Sequence, residues 1–210
     1  MAKGERTRKD IIDHAMALAG EIGLENLSLG VLASQTGLSK SGLFAHFKSK
    51  EALQLGVLEE AVARFSAIVL QPALREPRGE RRVRALFKHY LVWKAGERGN
   101  GSALRQSPNC IFMSLSHEYD DRPGPIRDRL VAVLRDWHDT IARVAQAAID
   151  AGDFREDLDT ELFAFEFMGL AMAHHHAGRL LELPGTERLN LAAFESLLER
   201  SRPNSRKPAA

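Results

Sequence analysis

The sequence has few of the features that stabilise secreted or membrane proteins. A single cysteine among 210 residues excludes an internal disulfide. The longest strongly apolar stretch, residues 162 to 173, contains Glu166 and is well short of the roughly 20 apolar residues that a membrane span needs. No apolar segment typical of a signal peptide follows the opening MAKGERTRKD. We therefore expect a soluble, cytoplasmic protein.

The sequence also lacks an excess of either charge. Lysine and arginine total 29 while aspartate and glutamate total 28, which gives a formal net charge of +1 at pH 7. Any surface that binds nucleic acid must therefore be local. With 44% hydrophobic and 27% charged residues, the composition excludes disordered and fibrous classes. The length fits one large domain, or a small domain joined to a larger one.

A β-type alternation of apolar and polar residues is absent too. Apolar residues instead recur at three- and four-residue spacing almost throughout, which predicts an all-α protein. Thr7 followed by Asp10 predicts the N-cap of a first helix, and Gly23 predicts its end. The buried stripe of this helix is expected to consist of Ile11, Ile12, Ala15, Met16, Leu18, Ala19 and Ile22.

Two short helices are predicted to follow. Ser28 is a typical N-cap for the first, which ends at Thr36 and Gly37, and Ser39 is a typical N-cap for the second, which ends near Phe47. Two short helices joined by a turn have the dimensions of a helix-turn-helix, whose second helix can enter the major groove of DNA. The pattern alone therefore favours a DNA-binding motif.

The second short helix has a local excess of positive charge. Between Ser39 and Lys50 the chain carries Lys40, Lys48 and Lys50 together with His46, and no acidic residue. Such a patch attracts phosphate groups. For three lysines alone, a solvated helix face is the favoured explanation, so the charge by itself does not predict a DNA-binding surface.

Longer helices are predicted beyond Lys50. Their ranges are about 51 to 71, 80 to 95, 108 to 119, 125 to 151, 159 to 183 and 187 to 200. The final residues, SRPNSRKPAA, are polar, basic and contain proline, so we expect a disordered tail at 201 to 210.

Ten residues between Thr7 and Leu53 stand in a specific order and spacing. They are Gly23, Ser28, Ala33, Gly37, Ser39, Leu43, His46, Phe47, Lys50 and Glu51. In this pattern the chain resembles the N-terminal DNA-binding domain of the tetracycline-repressor (TetR) family of transcriptional regulators. The resemblance implies a three-helix helix-turn-helix domain at residues 1 to 50 and a larger helical effector-binding and dimerisation domain at 51 to 200. It also implies a homodimer on double-stranded operator DNA.

The resemblance further implies which residues bind DNA. The residues that would face or flank the groove are Ser39, Lys40, Ser41, Phe44, Ala45 and His46, with Ser28 capping the preceding helix. Lys48 and Lys50 would contact phosphates. Phe44 stands where the family commonly has a tyrosine, and Gly30 stands where it often has an arginine. Leu43 and Phe47 are predicted to be core residues that pack on Ile12, Ala15 and Leu32.

The last two long helices, by the same resemblance, would pair with their copies in a four-helix dimer interface. The segment LFAFEFMGLAMA is apolar nearly all round, which predicts that it is covered on two sides. We expect Phe167 to lie in this desolvated surface. The second helix could contribute Leu189, Leu191, Phe194, Leu197 and Leu198.

The resemblance also implies an effector pocket among the middle helices. The candidate lining residues are Phe87, Tyr90, Trp93, Cys110, Met113, Leu115, His117, Trp137 and Phe167. Because no charge cluster accompanies them, an apolar or aromatic molecule is the expected effector. We hypothesise that Trp93, Met113 and Trp137 border the cavity.

Neither a metal site nor a catalytic site is predicted, and no cofactor is expected. His174, His175 and His176 occupy consecutive helix positions that point about 100° apart, so they cannot converge on one ion. No phosphate-binding loop, nucleophile elbow or zinc-protease spacing is present. The expected function is a ligand-responsive transcriptional repressor. The alternatives are a helical small-molecule-binding protein without a DNA function and a helical-bundle enzyme, and the absence of Glu-x-x-His motifs counts against the enzyme.

Overall fold

The computed structural model describes the backbone of residues 3–95 and 111–203. Every regular element within these residues is helical, which confirms the predicted all-α class. The four N-terminal helices are α1 (Lys3–Ile22), α2 (Leu29–Thr36), α3 (Lys40–His46) and α4 (Lys50–Phe65). The six that follow are α5 (Gln71–Arg75), α6 (Glu80–Ala95), α7 (Ile111–Tyr119), α8 (Pro125–Asp150), α9 (Thr160–His175) and α10 (Thr186–Ser201). None of the described helices is both long and apolar enough to cross a lipid bilayer.

Local side-chain chemistry sets most of the boundaries in the N-terminal region. The side chains of Ser28, Ser39 and Ser49 each accept a hydrogen bond from a backbone N–H in the first turn of α2, α3 and α4, respectively. Gly37 ends α2 at a φ of 69°, in the left-handed region that favours glycine. The predicted N-cap at Thr7 is wrong, because α1 already begins at Lys3.

Two of the predicted long helices contain a π-helical turn that the sequence pattern did not indicate. One turn occupies Ser66–Leu70 between α4 and α5, and the other occupies His176–Leu180 after α9. Pro72 lies in the first turn of α5, where its missing N–H costs no hydrogen bond. The continuous helices predicted at 51 to 71 and 159 to 183 are each interrupted for this reason.

The chain forms two compact units. Among the described residues, the first unit comprises 3–68, 92–95 and 111–133, and the second comprises 69–91 and 134–203. The first unit therefore contains α1 to α4 together with α7 and the beginning of α8. The sequence boundary expected at residue 50 falls inside this unit.

The core of the first unit forms where α1 packs on α4. The apolar stripe of α1 is buried as predicted, except that Ile22 is only half-buried. Leu43 and Phe47 are 1% exposed, which confirms their assignment to the core. A Cβ on Gly56 of α4 would lie 3.0 Å from Ile12 Cδ1 and 3.2 Å from Phe47 Cε1. Gly56 therefore permits a close approach that a larger residue would disturb.

The second unit has an aromatic core bordered by ion pairs. Phe87 stacks on Phe194 with their ring centroids 3.8 Å apart, and Phe167 meets Phe87 edge to face at 5.3 Å. At its edge, Glu80 Oε1 accepts hydrogen bonds from Arg84 and Arg202, each at 2.7 Å. The bond from Arg202 is the main cause that lowers the pKa of the Glu80 carboxyl, so this group stays ionised in the ion-pair network.

We expect opposite effects of alanine at two helical glycines. Gly56→Ala should lower the free energy of unfolding by about 1 to 2 kcal/mol, because overpacking in a closed core outweighs the gain in helix propensity. Gly30→Ala should raise it by up to about 1 kcal/mol, since the nearest atoms would lie at an ordinary contact distance of 3.8 Å. Denaturant unfolding followed by circular dichroism, at equal protein concentrations, measures both. A stabilised Gly56→Ala variant would contradict the close approach.

Candidate nucleic-acid interface

The helix α3 is held at both ends by its own sequence. Ser39 accepts a hydrogen bond from the Gly42 backbone N–H at 3.1 Å, and the Phe47 backbone N–H donates to the Leu43 carbonyl at 2.9 Å. Leu43 and Phe47 point into the core, so the opposite face of the helix is directed to solvent. A short helix with one buried and one open face has the geometry of a recognition helix.

The open face contains the residues that the sequence predicted. Six of them are exposed, namely Ser39, Lys40, Ser41, Phe44, Ala45 and Lys48, and His46 is half-buried. The Phe44 side chain is 53% exposed, and Lys48 Nζ lies 6.0 Å from the centroid of its ring. An exposed aromatic ring with a lysine beside it offers both apolar contact to bases and charge to phosphates.

Ser28 is placed differently from the other predicted residues. It is half-buried, and its Oγ accepts a hydrogen bond from the Val31 backbone N–H at 3.2 Å. Its hydroxyl therefore orients the start of α2. The nearby Gly30 leaves room for Lys40, whose Nζ would lie 3.8 Å from a Cβ at position 30.

Lys50 is exposed but has an acidic partner that the sequence pattern did not reveal. Its Nζ lies 3.0 Å from Glu25 Oε1, and the two residues are 25 positions apart in the chain. This hydrogen bond is the largest of the effects that lower the pKa of the Glu25 carboxyl, so this carboxylate is ionised near neutral pH. The segment from Ser39 to Lys50 contains no acidic residue, but the surface around Lys50 does, because Glu25 lies beside it in the fold.

The sequence pattern did not reveal the structural role of Gln54 either. Its side chain is 4% exposed, and its Nε2 donates to the Leu24 carbonyl at 2.7 Å and to the Leu27 carbonyl at 3.4 Å. These bonds fasten the turn between α1 and α2 to α4. A glutamine within the apolar stripe of α4 was the available signal, because a buried amide requires polar partners.

The candidate effector residues are divided between the two units. In the first unit, Trp93 and Met113 are half-buried, Leu115 is buried and His117 is exposed. Trp93 stands edge to face with Phe65 at 5.6 Å and stacks on Phe112 at 6.3 Å. The buried indole nitrogen of Trp93 has no hydrogen-bond partner among the described residues.

The remaining candidates belong to the second unit or lie outside the described residues. Phe87, Tyr90, Trp137 and Phe167 are buried and contact one another or neighbouring rings, as Tyr90 and Trp137 do at 6.1 Å. Cys110 lies outside the described residues. The four buried side chains have the packing of an ordinary core.

The histidine triplet at the end of α9 shows no convergence. His174 and His175 are half-buried, and His176 is exposed. Among the described residues, no group of three histidine, cysteine, aspartate or glutamate side chains is arranged to hold a metal ion.

Comparisons with known proteins agree with the helix-turn-helix geometry. The family model described as "Bacterial regulatory proteins, tetR family" matches residues 11–57, and "Tetracyclin repressor-like, C-terminal domain" matches residues 79–194. The second match covers more than half of the chain. The chain belongs to the TetR family of DNA-binding transcriptional regulators. No sequence among the curated proteins matches it.

Solved structures of this family have the same fold. A TetR-family regulator from Cytophaga hutchinsonii superposes with a TM-score of 0.79 at 19% identity, over 99% of both chains. A regulator from Chloroflexus aurantiacus J-10-FL gives 0.79 at 24% identity, over 95% of this chain and 96% of the other. AibR, solved with isovaleryl coenzyme A and operator DNA, gives 0.66 at 22% identity, over 93% and 98%.

Proposed function

We propose that this protein is a cytoplasmic, homodimeric repressor that leaves its operator when a small apolar or aromatic molecule binds. The observation that carries the proposal is the open face of α3, where Lys40, Ser41 and Phe44 are exposed opposite a fully buried side. The complex of its relative AibR with isovaleryl coenzyme A and operator DNA supports a function that links a ligand to DNA.

Residues on α3 and after it serve two different purposes in this proposal. Lys40 and Ser41 lie in the first turn of α3, the part of a recognition helix that reads base edges. Phe44 can contact a thymine methyl group through its exposed ring. Lys48, beyond the end of α3, is positioned for a phosphate, which fixes the register without reading the sequence.

We expect the two kinds of residue to separate in binding experiments. Lys40→Ala and Ser41→Ala should change the operator sequence that the protein selects, at about 1 to 3 kcal/mol for each lost base contact. Lys48→Ala should weaken binding to all duplexes about equally and lower the slope of log K against log salt by about 1. Selection from random duplexes and anisotropy titrations over a range of salt measure these effects. An unchanged consensus for both α3 variants would remove them from the readout.

The dimer is assigned to one face of α9 and α10. Along α9, Leu162, Phe165, Gly169 and Met172 are exposed at alternating spacings of three and four, which aligns them on one side of the helix. Phe165 is 71% exposed in the isolated chain, a large apolar area for a monomer surface. Glu166 of α9 is joined to Arg200 of α10 at 3.2 Å, so the two helices form one surface.

The burial pattern corrects the residues expected in this interface. Phe167 is 0% exposed, and Phe194, Leu197 and Leu198 are buried inside the protomer. These four side chains could contact a second subunit only if the core of their own protomer were disrupted. Leu189 and Leu191 of α10 are exposed and remain available.

We expect Phe165→Glu to produce a folded monomer, because it places a charge in the proposed interface and leaves the protomer core intact. The monomer should lose specific operator binding, since one helix-turn-helix covers one half-site and the two half-sites lie about 34 Å or a multiple apart. Leu74→Glu, an exposed apolar position on α5, is the matched control and should remain dimeric. Sedimentation measures the oligomeric state of both variants, and operator titration measures their DNA binding. Dimers of the Phe165→Glu variant at micromolar concentration would refute the interface.

The effector is assigned to the surroundings of Trp93 and Met113 in the first unit. Both side chains are half-buried, and the indole N–H of Trp93, which has no partner within the described part of the chain, can donate to an acceptor on a bound molecule. The adjacent rings of Phe65 and Phe112 favour an apolar or aromatic ligand.

We expect Met113→Trp to bind the operator normally but to lose its release by the effector, because the larger ring fills the ligand space. A panel of apolar and aromatic compounds is screened for release of the wild type from a labelled operator. Even a hundredfold difference in ligand affinity between two states supplies only about 2.7 kcal/mol of coupling, so a modest steric change should abolish release. Unchanged potency on Met113→Trp would place the pocket elsewhere.

A further inference from the structure

Glu25 connects the helix-turn-helix with the end of α7 inside the first unit. It lies in the turn between α1 and α2, and its Oε2 accepts a hydrogen bond from the Tyr119 hydroxyl at 3.1 Å. Its backbone N–H donates to Glu118 Oε2 at 2.9 Å. Its other oxygen, Oε1, faces Lys50 at 3.0 Å and Arg122 at 3.9 Å. The carboxylate is therefore contacted by one side chain from α4 and by two from the end of α7 and the turn after it.

The contacts on the α7 side fix Glu25 independently of Lys50. Tyr119 is 5% exposed, and burial together with the bond to Glu25 raises the pKa of its hydroxyl, which stays a donor at neutral pH. Gly23 adopts a φ of 83°, and a Cβ there would lie 3.1 Å from Glu118 Oε1. The turn is thus shaped around the Glu118 carboxylate, which leaves Glu25 a defined position beside Lys50.

The pair with Lys50 is open to solvent. The side chain of Lys50 is 44% exposed and that of Glu25 is 41% exposed. A phosphate that approaches Lys50 must therefore displace the Glu25 carboxylate or share the lysine with it. The negative charge of Glu25 also repels the phosphate. Lys48, whose Nζ donates only to the Ala45 carbonyl at 3.4 Å in the described structure, carries no such counter-charge.

We propose that Glu25 competes with the DNA backbone for Lys50 and thereby limits the affinity for DNA, with Tyr119 as the positioning residue that holds the carboxylate in place. This inference rests on the proposed DNA-binding function. It assigns to one acidic residue, distant in sequence from the recognition helix, a role in setting the electrostatic strength of binding. Exposed ion pairs are weak, so the restraint is modest and can be overcome by a well-placed phosphate.

Glu25→Gln tests the competition, with Glu21→Gln as its matched control. Both variants remove one negative charge, but Glu21 lies on α1 outside the contacts described around Lys50. We expect Glu25→Gln to bind a duplex of scrambled sequence about two to five times more tightly at low salt, the range that an exposed ion pair accounts for. The slope of log K against log salt between 50 and 200 mM should become steeper by about 1, because Lys50 now releases a counterion.

Two further variants distinguish competition from a change in folding. In a Lys50→Ala background, Glu25→Gln should leave the salt slope unchanged, and Lys50→Ala alone should lower the slope by less than Lys48→Ala does. Tyr119→Phe keeps the ring and removes the hydrogen bond, so it should shift the slope in the direction of Glu25→Gln by a smaller amount. Thermal unfolding of each variant checks that the fold is retained.

The outcomes separate this inference from the proposed function. Glu25→Gln that binds like wild type, like Glu21→Gln or more weakly than wild type would overturn the competition while leaving DNA binding established. A wild-type protein that binds neither the selected operator nor the scrambled duplex would overturn the proposed function and this inference together.

Discussion

The burial of Leu43 and Phe47 is the interaction on which the candidate interface depends. These two side chains of α3 and its C-cap are 1% exposed, and Ile12 of α1 is 2% exposed. Because Gly56 lets α4 approach α1 and Phe47 closely, the packing fixes the orientation of α3. A helix of seven residues has too few hydrogen bonds to be stable by itself, so its open face is defined only as long as this packing holds.

The N-terminal domain could be predicted from sequence because its boundaries depend on local chemistry. The N-caps at Ser28 and Ser39 and the left-handed glycine at Gly37 act within three or four residues, and all three are confirmed. Thr7 had the same local signature, yet α1 extends beyond it to Lys3. A capping residue indicates where a helix can begin, but the helix starts earlier when the residues before the cap also adopt a helical conformation.

The missed features are contacts between distant residues. Gln54 bonds to carbonyls 30 and 27 positions away, and Glu25 meets Lys50 and Tyr119 across 25 and 94 positions. Residue spacing along the sequence does not predict such pairs, because they depend on how the helices pack against one another. For the same reason the apolar pattern of α10 identified Phe194 without showing that it stacks on Phe87 inside the protomer.

The contact between Glu118 and the Glu25 backbone has a consequence for the construction of hybrid regulators. The turn between α1 and α2, which precedes the recognition helix, is completed by side chains from residues 118 and 119. A chimera that joins residues 1 to 50 to the remainder of another family member would exchange the recognition helix but separate the turn at Gly23 and Glu25 from Glu118 and Tyr119. Transferring Glu118 and Tyr119 with the N-terminal module would preserve the turn, so a transferable unit is discontinuous in sequence.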